Sequence, residues 1–322
     1  MPFTNAILYD HGINPVVAGV EITNIVIEMH NGADSGLWYH VATINTDNNT
    51  INWGPSTQWT GADHNTIADS PSVSVSEDCI VAEAHSYQDL LNNEIDDGSI
   101  WTTIGIADAA ANSIAWGSSQ QIDSHAYYPS ISISRDGKTV VIVYQHDLNG
   151  GALWYHVGTV DSANKSINWG PGYYYTQGFT PSISMDELGN IIEVHNSYQN
   201  NTELWYVVGK LDAANLTVNW GTTIGFNSAE KFFPRVALSN ANGTDAGWAL
   251  VVFPGQSNSG DLWWDGGNLN PTTLTATWDP SYKYQNSGAE PAFAFVYNRL
   301  MLEVHQSRYS LGYWELWYEL EQ

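Results

Sequence analysis

The residues best equipped to do chemistry in this chain are four acid–imidazole pairs at i, i+2 spacing: Glu28/His30, Glu83/His85, Glu193/His195 and Glu303/His305. On an extended strand such positions project from one face, so each pair presents a carboxylate and an imidazole together. A polar residue usually follows, at Asn31, Ser86, Asn196 and Gln306-Ser307. Next comes Leu-Trp-Tyr, at Trp38-Tyr39, Trp154-Tyr155, Trp205-Tyr206 and Trp317-Tyr318, with Trp263-Trp264 and the lone Trp101 as variants. An aromatic ring beside carboxylate, imidazole and amide groups can stack on the C–H face of a sugar and grip its hydroxyls. The same groups can instead satisfy buried partners and brace the fold. Val143 and Gln145, with His146 next, stand for the pair in a third unit, and Val252 and Pro254 in a fifth. A bracing motif should survive in every unit while a binding site can degenerate, so these departures favour binding. The candidate ligand-binding set is the four Glu/His pairs with Asn196 and Gln306, the aromatics Trp38, Tyr39, Trp101, Trp154, Tyr155, Trp205, Tyr206, Trp317 and Tyr318, and Gln145 with His146.

The elements that position this set are repeats, and repeats decide the fold. Two neighbouring units read PSISISRDGKTVVIVYQHDLNGGALWYHVGTVDSANKSINWG from Pro129 and PSISMDELGNIIEVHNSYQNNTELWYVVGKLDAANLTVNWG from Pro181. The frame recurs at Pro15, Pro71, Pro234 and Pro291. Each unit holds four alternating apolar runs between Gly, Asn, Asp and Pro turns, which predicts a four-stranded antiparallel meander. The expected fold is all-β, a six-bladed β-propeller forming one domain over residues 1–322. The last repeat breaks off after Glu315-Leu316-Trp317-Tyr318, and NAILYDHGINP over residues 5–15 matches the end of a repeat. The N-terminal segment is therefore expected to complete the sixth blade and close the ring. Glu-x-His and Leu-Trp-Tyr then flank the loops of one face, while plain turns such as Arg135-Asp136-Gly137 open on the other. The Trp-Gly of strand four (Trp53, Trp116, Trp169, Trp220) reads as packing between blades.

Composition narrows the partners. Nine basic residues against 34 acidic ones give a formal charge of −25. That field repels phosphate backbones and anionic lipid, so nucleic acid is excluded and neutral sugars, free or on glycoproteins, are favoured. Cys79 is the single cysteine, so no intrachain disulfide forms. No apolar run reaches membrane-spanning length, and no leader is read at the N-terminus. The expectation is a cytoplasmic protein, or one secreted without a classical signal peptide, with a homodimer allowed. Sequons at Asn48, Asn164, Asn200, Asn215 and Asn242 read as turn chemistry. No cofactor is expected, although acidic turns leave Ca²⁺ open.

The Pro129-Ser130-Ile131-Ser132 … Asp136-Gly137 opening resembles sialidase-type propellers. That resemblance implies an arginine cluster for the substrate carboxylate, yet Arg135, Arg235, Arg299 and Arg308 neither group nor repeat in sequence. Glycosidases also need one unique carboxylate pair, which near-equivalent Glu residues in four units do not provide. Six aromatic-rich repeats resemble the tandem-repeat β-propeller lectins of fungi and bacteria, which implies several sugar sites between blades. The fucose-binding members imply a repeated arginine that this chain lacks. The expected function is a neutral-sugar lectin, with a protein-interaction scaffold or a glycoside hydrolase with one axial site as alternatives.

Overall fold

The computed structural model describes residues 6–32, 36–45, 47–59, 68–87, 98–146, 150–199, 203–227, 233–240, 247–255, 260–297, 300–308 and 314–321. Asn200, Asn242 and Arg299 lie outside them, as does the side chain of Arg308. After β1 (Ile7–His11), the first unit comprises β2 (Ile13–Gly19), β3 (Ile25–Asn31), β4 (Leu37–Asn45), β5 (Thr50–Trp53) and β6 (Thr57–Gln58). The second comprises β7 (Ala68–Val75), β8 (Ile80–Tyr87), β9 (Ser99–Asp108), β10 (Ser113–Trp116) and β11 (Gln120–Ser124). The third holds β12 (Ala126–Ile133), β13 (Thr139–His146), β14 (Ala152–Asp161), β15 (Ser166–Trp169) and the first half of β16 (Tyr173–Met185). The other half of β16 opens the fourth, with β17 (Asn190–Ser197), β18 (Leu204–Asp212), β19 (Thr217–Trp220) and β20 (Ile224–Asn227). The fifth comprises β21 (Arg235–Leu238), β22 (Trp248–Pro254), β23 (Leu262–Asn270), β24 (Thr275–Trp278) and β25 (Tyr282–Gln285). β26 (Ala289–Val296), β27 (Leu300–Arg308) and β28 (Trp314–Glu321) form the sixth.

Every sheet is an antiparallel meander, and β1 pairs with β28, Ile7 opposite Tyr318 and His11 opposite Glu315. The first strands pack in cyclic order, β2 on β7, then β12, β16, β21, β26 and back to β2. Between them runs a narrow cavity of about 130 Å³, lined by Val17, Val73, Ile131, Ile183, Val236 and Phe293 among others. The serines of the Pro-Ser-x-Ser opening explain how strands of different sheets hold together there. Ser72 and Ser74 Oγ accept the amides of Ile131 and Ile133, Ser130 accepts Ile183, and Ser182 and Ser184 accept Val236 and Leu238. A first strand has a free edge towards the axis, and these hydroxyls satisfy its buried N–H groups.

The outer strand comes in two pieces rather than one. A Trp-Gly piece pairs with the far half of strand three, as Trp169 opposite Gly158 and Trp220 opposite Gly209. A second piece then pairs with the near half across a bulge, as β20 does on β18. In the sixth unit β1 supplies this second piece. The glycine of the repeated Val-Gly in strand three makes room for the tryptophan, since a Cβ at Gly209 would fall 2.7 Å from Trp220 Cε3. Each such tryptophan reaches back to the preceding unit: Trp53 stacks on Tyr9 (4.6 Å), Trp220 on Tyr175 (5.0 Å) and Trp278 on Phe226 (4.4 Å). The Trp-Gly motif is thus packing between sheets, with each stack adding about 1 kcal/mol beyond its buried area.

Candidate functional site

Strand two is buried along its length, so Glu28, Glu83, Glu193 and Glu303 are inaccessible and His30, His85, His195 and His305 nearly so. Each imidazole bonds its own glutamate through Nδ1, at 3.1 Å in Glu28/His30 and at 2.8, 2.8 and 2.9 Å in the others. A carboxylate only accepts, so Nδ1 carries the proton. Glu28 and Glu303 also accept a tyrosine hydroxyl from the preceding unit, Tyr9 and Tyr284, both at 3.0 Å. Tyr175 faces Glu193 similarly, its phenol pushed up by burial first and by the Glu193 charge second. Burial opposes protonation of His305, but the charge and hydrogen bond of Glu303 together with the charge of Glu319 outweigh it and raise its pKa. The imidazole faces are wedged as well: a Cβ at Gly178 would fall 2.3 Å from His195 Cδ2.

The polar residues that follow also tie elements together. Asn31 Nδ2 donates to the Ala68 carbonyl, Ser86 Oγ accepts the Tyr128 amide, Gln306 Oε1 accepts the Asn14 amide, and Asn196 Oδ1 accepts the Thr180 hydroxyl. Gln145 is buried. Of the Leu-Trp-Tyr tyrosines, Tyr39, Tyr155, Tyr206 and Tyr318 are buried and meet the next unit's tryptophan edge-on, Trp116, Trp220, Trp278 and Trp53 respectively. The Tyr206 hydroxyl also donates to the Ala276 carbonyl at 2.9 Å.

Strand pairing corrects the assignment in the divergent units. Trp154 lies opposite Tyr144 and His156 opposite Ile142, as Trp205 lies opposite His195 and Val207 opposite Glu193. The third unit's equivalents are therefore Ile142 and Tyr144, not Val143 and Gln145. In the fifth, Trp263 opposite Phe253 makes them Val251 and Phe253, not Val252 and Pro254. A one-residue slip moves a side chain to the other face of the sheet. In the corrected frame the departures are matched to the residue at the preceding unit's bulge. Tyr9, Tyr175 and Tyr284 oppose Glu28, Glu193 and Glu303, whereas Ile122 packs with Ile142 and Phe226 with Val251. Trp59 sets its edge on His85 at 5.0 Å. Hydroxyl meets carboxylate and hydrocarbon meets hydrocarbon, as complementary packing requires.

What remains accessible on this groove face is the rim. Trp38, Trp101, Trp154, Trp205, Trp263 and Trp317 are each half-buried at one position of strand three. The indoles of Trp101 and Trp205 donate to Ser99 and Glu203, at 3.0 and 3.2 Å. The rim between the second and third units is the best furnished. Tyr174, 53% exposed, lies edge-on to Trp154 at 6.5 Å, and His146 tilts against the same indole at 5.7 Å. Asp123 Oδ2 accepts the Tyr144 hydroxyl at 2.8 Å and faces His146 Nδ1 at 3.2 Å. Burial and then Asp123 raise the Tyr144 phenol.

No family model and no curated protein matches the chain. Solved structures match it throughout. The NanB sialidase from Streptococcus pneumoniae aligns with 100% of this chain and 71% of its own, at 9% identity and a TM-score of 0.67. The fold is a sialidase-type β-propeller. A Trypanosoma rangeli sialidase aligns over 99% of this chain at 10% identity and a TM-score of 0.58, so the chain spans only 58% of that enzyme's length. A Dyadobacter fermentans protein of unknown function is similar over 98% of this chain and 97% of its own, at 10% identity and a TM-score of 0.64.

A second cluster, which sequence reasoning missed, sits at one mouth of the propeller axis. The residues before the six repeat prolines, Asn14, Ser70, Tyr128, Thr180, Phe233 and Glu290, all have φ between 48° and 55°. Backbone of this kind costs energy in any residue but glycine and concentrates at functional sites. Here Tyr128 meets Phe233 edge-on at 5.9 Å. Asp69 accepts from Asn14 Nδ2 at 3.0 Å and from the Ser70 amide at 2.8 Å. Burial raises the Glu290 carboxyl to about 7 against the charge of Arg235, with Asp69 adding to the rise. Among the described residues Arg235 thus lies near this mouth, while Arg135 pairs with Glu77 and Glu187 near the other end of the axial cavity.

Proposed function

We propose that the protein is a carbohydrate-binding propeller that receives a neutral sugar at the groove rim, on the indole of Trp154. The observation that carries this reading is the repetition of a half-buried tryptophan at one register position in all six units, above grooves whose interior is closed. At the third unit Tyr174 and Trp154 offer apolar rings to a pyranose, and His146 with Asp123 offers hydrogen bonds to its hydroxyls. The acidic field of the chain favours uncharged glycans. A glycan array on the wild type, repeated with Trp154→Ala and Tyr174→Ala, tests the proposal. Binding to neutral glycans that both variants lose while remaining folded supports it. Binding confined to charged glycans, or unchanged in both variants, contradicts it.

The axial mouth supports a second reading, a glycoside hydrolase. Burial raises the Glu290 carboxyl to about 7, and the Asp69 carboxylate beside it, which accepts from Asn14 Nδ2 and the Ser70 amide, adds to the rise. A carboxyl raised in this way beside a second carboxyl suits a general acid with a partner. Hydrolysis of aryl glycosides by the wild type and its loss in Glu290→Gln would favour this reading over the first.

A further inference from the structure

The groove between the sixth and first units gathers groups that neither reading uses. Asp10 leaves β1 beside Tyr9, His30 stands on β3 and His40 on β4, and one ligand atom from each lies within 4.8 Å of the others. His30 Nδ1 is 3.1 Å from both oxygens of Glu28, and His40 Nδ1 is 2.8 Å from the Gly54 carbonyl. Both partners only accept, and a neutral imidazole has one N–H. Each ring therefore spends its proton there and turns the lone pair of Nε2 towards Asp10 Oδ2, at 3.6 Å from His30 and 2.8 Å from His40. Asp10 Oδ1 is already engaged by the His11 amide at 2.8 Å. Three ligand atoms thus converge, and either a proton on an imidazole or a cation can bridge them.

We propose that Asp10, His30 and His40 bind one divalent transition-metal ion of the Zn²⁺ class. Two imidazole nitrogens and a carboxylate oxygen form a donor set suited to such ions. The surroundings match what metal-bound histidine requires, its second nitrogen donating to a carboxylate in His30 and to a backbone carbonyl in His40. One dication balances Asp10 and Glu28, whereas bridging by protons needs one on each ring. Ligands about 2 Å from a tetrahedral ion stand about 3.3 Å apart, so the His30 approach fits and that of His40 opens slightly. Asp10 is half-buried and Ser56 beside it exposed, which leaves a way in and a coordination position open to water.

Corresponding places in other grooves show what the arrangement replaces. Between the fourth and fifth units Asn227 Nδ2 donates to Asp265 at 2.7 Å, and between the fifth and sixth Gln285 Nε2 donates to Glu319 at 2.9 Å. Between the second and third, Tyr144 stands where His30 does and its hydroxyl donates to Asp123. An amide or a hydroxyl quenches the carboxylate in each, and among the described residues the first groove alone sets two imidazoles on it.

The test is metal uptake by the full chain after exhaustive chelation, independent of any sugar assay. ZnCl₂ titrated calorimetrically and counted by mass spectrometry should give one ion per chain, and CoCl₂ should give a visible absorption of low coordination number. Asp10→Asn should weaken Zn²⁺ binding at least tenfold, and Glu28→Gln, which loosens His30 without removing a ligand, by about tenfold. Asp123→Asn should bind as the wild type does. If a variant fails to fold, His40→Gln replaces it. Absence of stoichiometric uptake, Asp10→Asn binding as tightly as wild type, or equal loss in Asp123→Asn would overturn the site, leaving protons as the bridge.

Discussion

The interior of the grooves and their rim are built from neighbouring strands, yet they do opposite things. Inside, Glu193 and His195 are sealed against one another and against the next sheet. At the rim, on β14 and β16, Trp154 and Tyr174 keep a face to solvent. A repeated polar pair followed by a repeated aromatic therefore divides its labour. The pair satisfies and locks the interface between sheets, and the aromatic keeps part of its ring exposed. The axial mouth adds a third environment, where a carboxyl is held near neutral without closing the surface.

The comparison breaks most sharply on Glu193→Ala. It leaves the buried His195 Nδ1 without its partner and removes the carboxylate that Tyr175 faces, and loss of a buried partner of this kind costs about 3 kcal/mol or more. Chemical denaturation should show that loss while glycan binding survives in the remaining folded fraction. Next in size is Ile142→Glu, which buries a carboxylate against Ile122 and should destabilise by about 3 kcal/mol. Adding Ile122→Tyr should restore about 1 kcal/mol or more, and a double-mutant cycle with no coupling would dissolve the matching of bulge residue to glutamate. At the rim, Trp154→Ala should lower glycan affinity by about 2 kcal/mol, some thirtyfold, with little change in stability. Tyr284→Phe removes one hydrogen bond to Glu303 and should cost about 1 kcal/mol.

The smallest effect is a pH slope. The Glu290 carboxyl titrates near 7 when folded against its ordinary 4.5, so between those values the folded chain binds more protons than the unfolded one. Stability should therefore fall as pH rises from about 5 to 7 and level off above it. Thermal unfolding of Glu290→Gln should lack that component of the slope.

Much of this was legible in the residues alone. Repeated Pro-Ser-x-Ser, Leu-Trp-Tyr and Trp-Gly determine the sheets, because period-two alternation and turn residues act locally. The match of NAILYDHGINP to the end of a repeat pointed to the pairing of β1 with β28. The register of the divergent strands was not legible, because Val140–Tyr144 reads as hydrophobic in either frame and only pairing with Trp154 fixes it. Partners from different units, such as Tyr9 with Glu28 and His40, stay invisible until the sheets are packed, though the Tyr-to-Glu and Ile-to-Ile correspondence was present in the letters. The axial cluster gave no signal, since nothing in a Glu-Pro or Tyr-Pro dipeptide announces a left-handed backbone.

The most direct test of the division between interior and rim is a paired measurement, glycan affinity and melting temperature, on Trp154→Ala and Glu193→Gln. The rim account predicts that Trp154→Ala loses the glycan at an unchanged melting temperature, while Glu193→Gln melts lower and binds as the wild type does. Glycan binding lost in folded Glu193→Gln and kept in Trp154→Ala would contradict it.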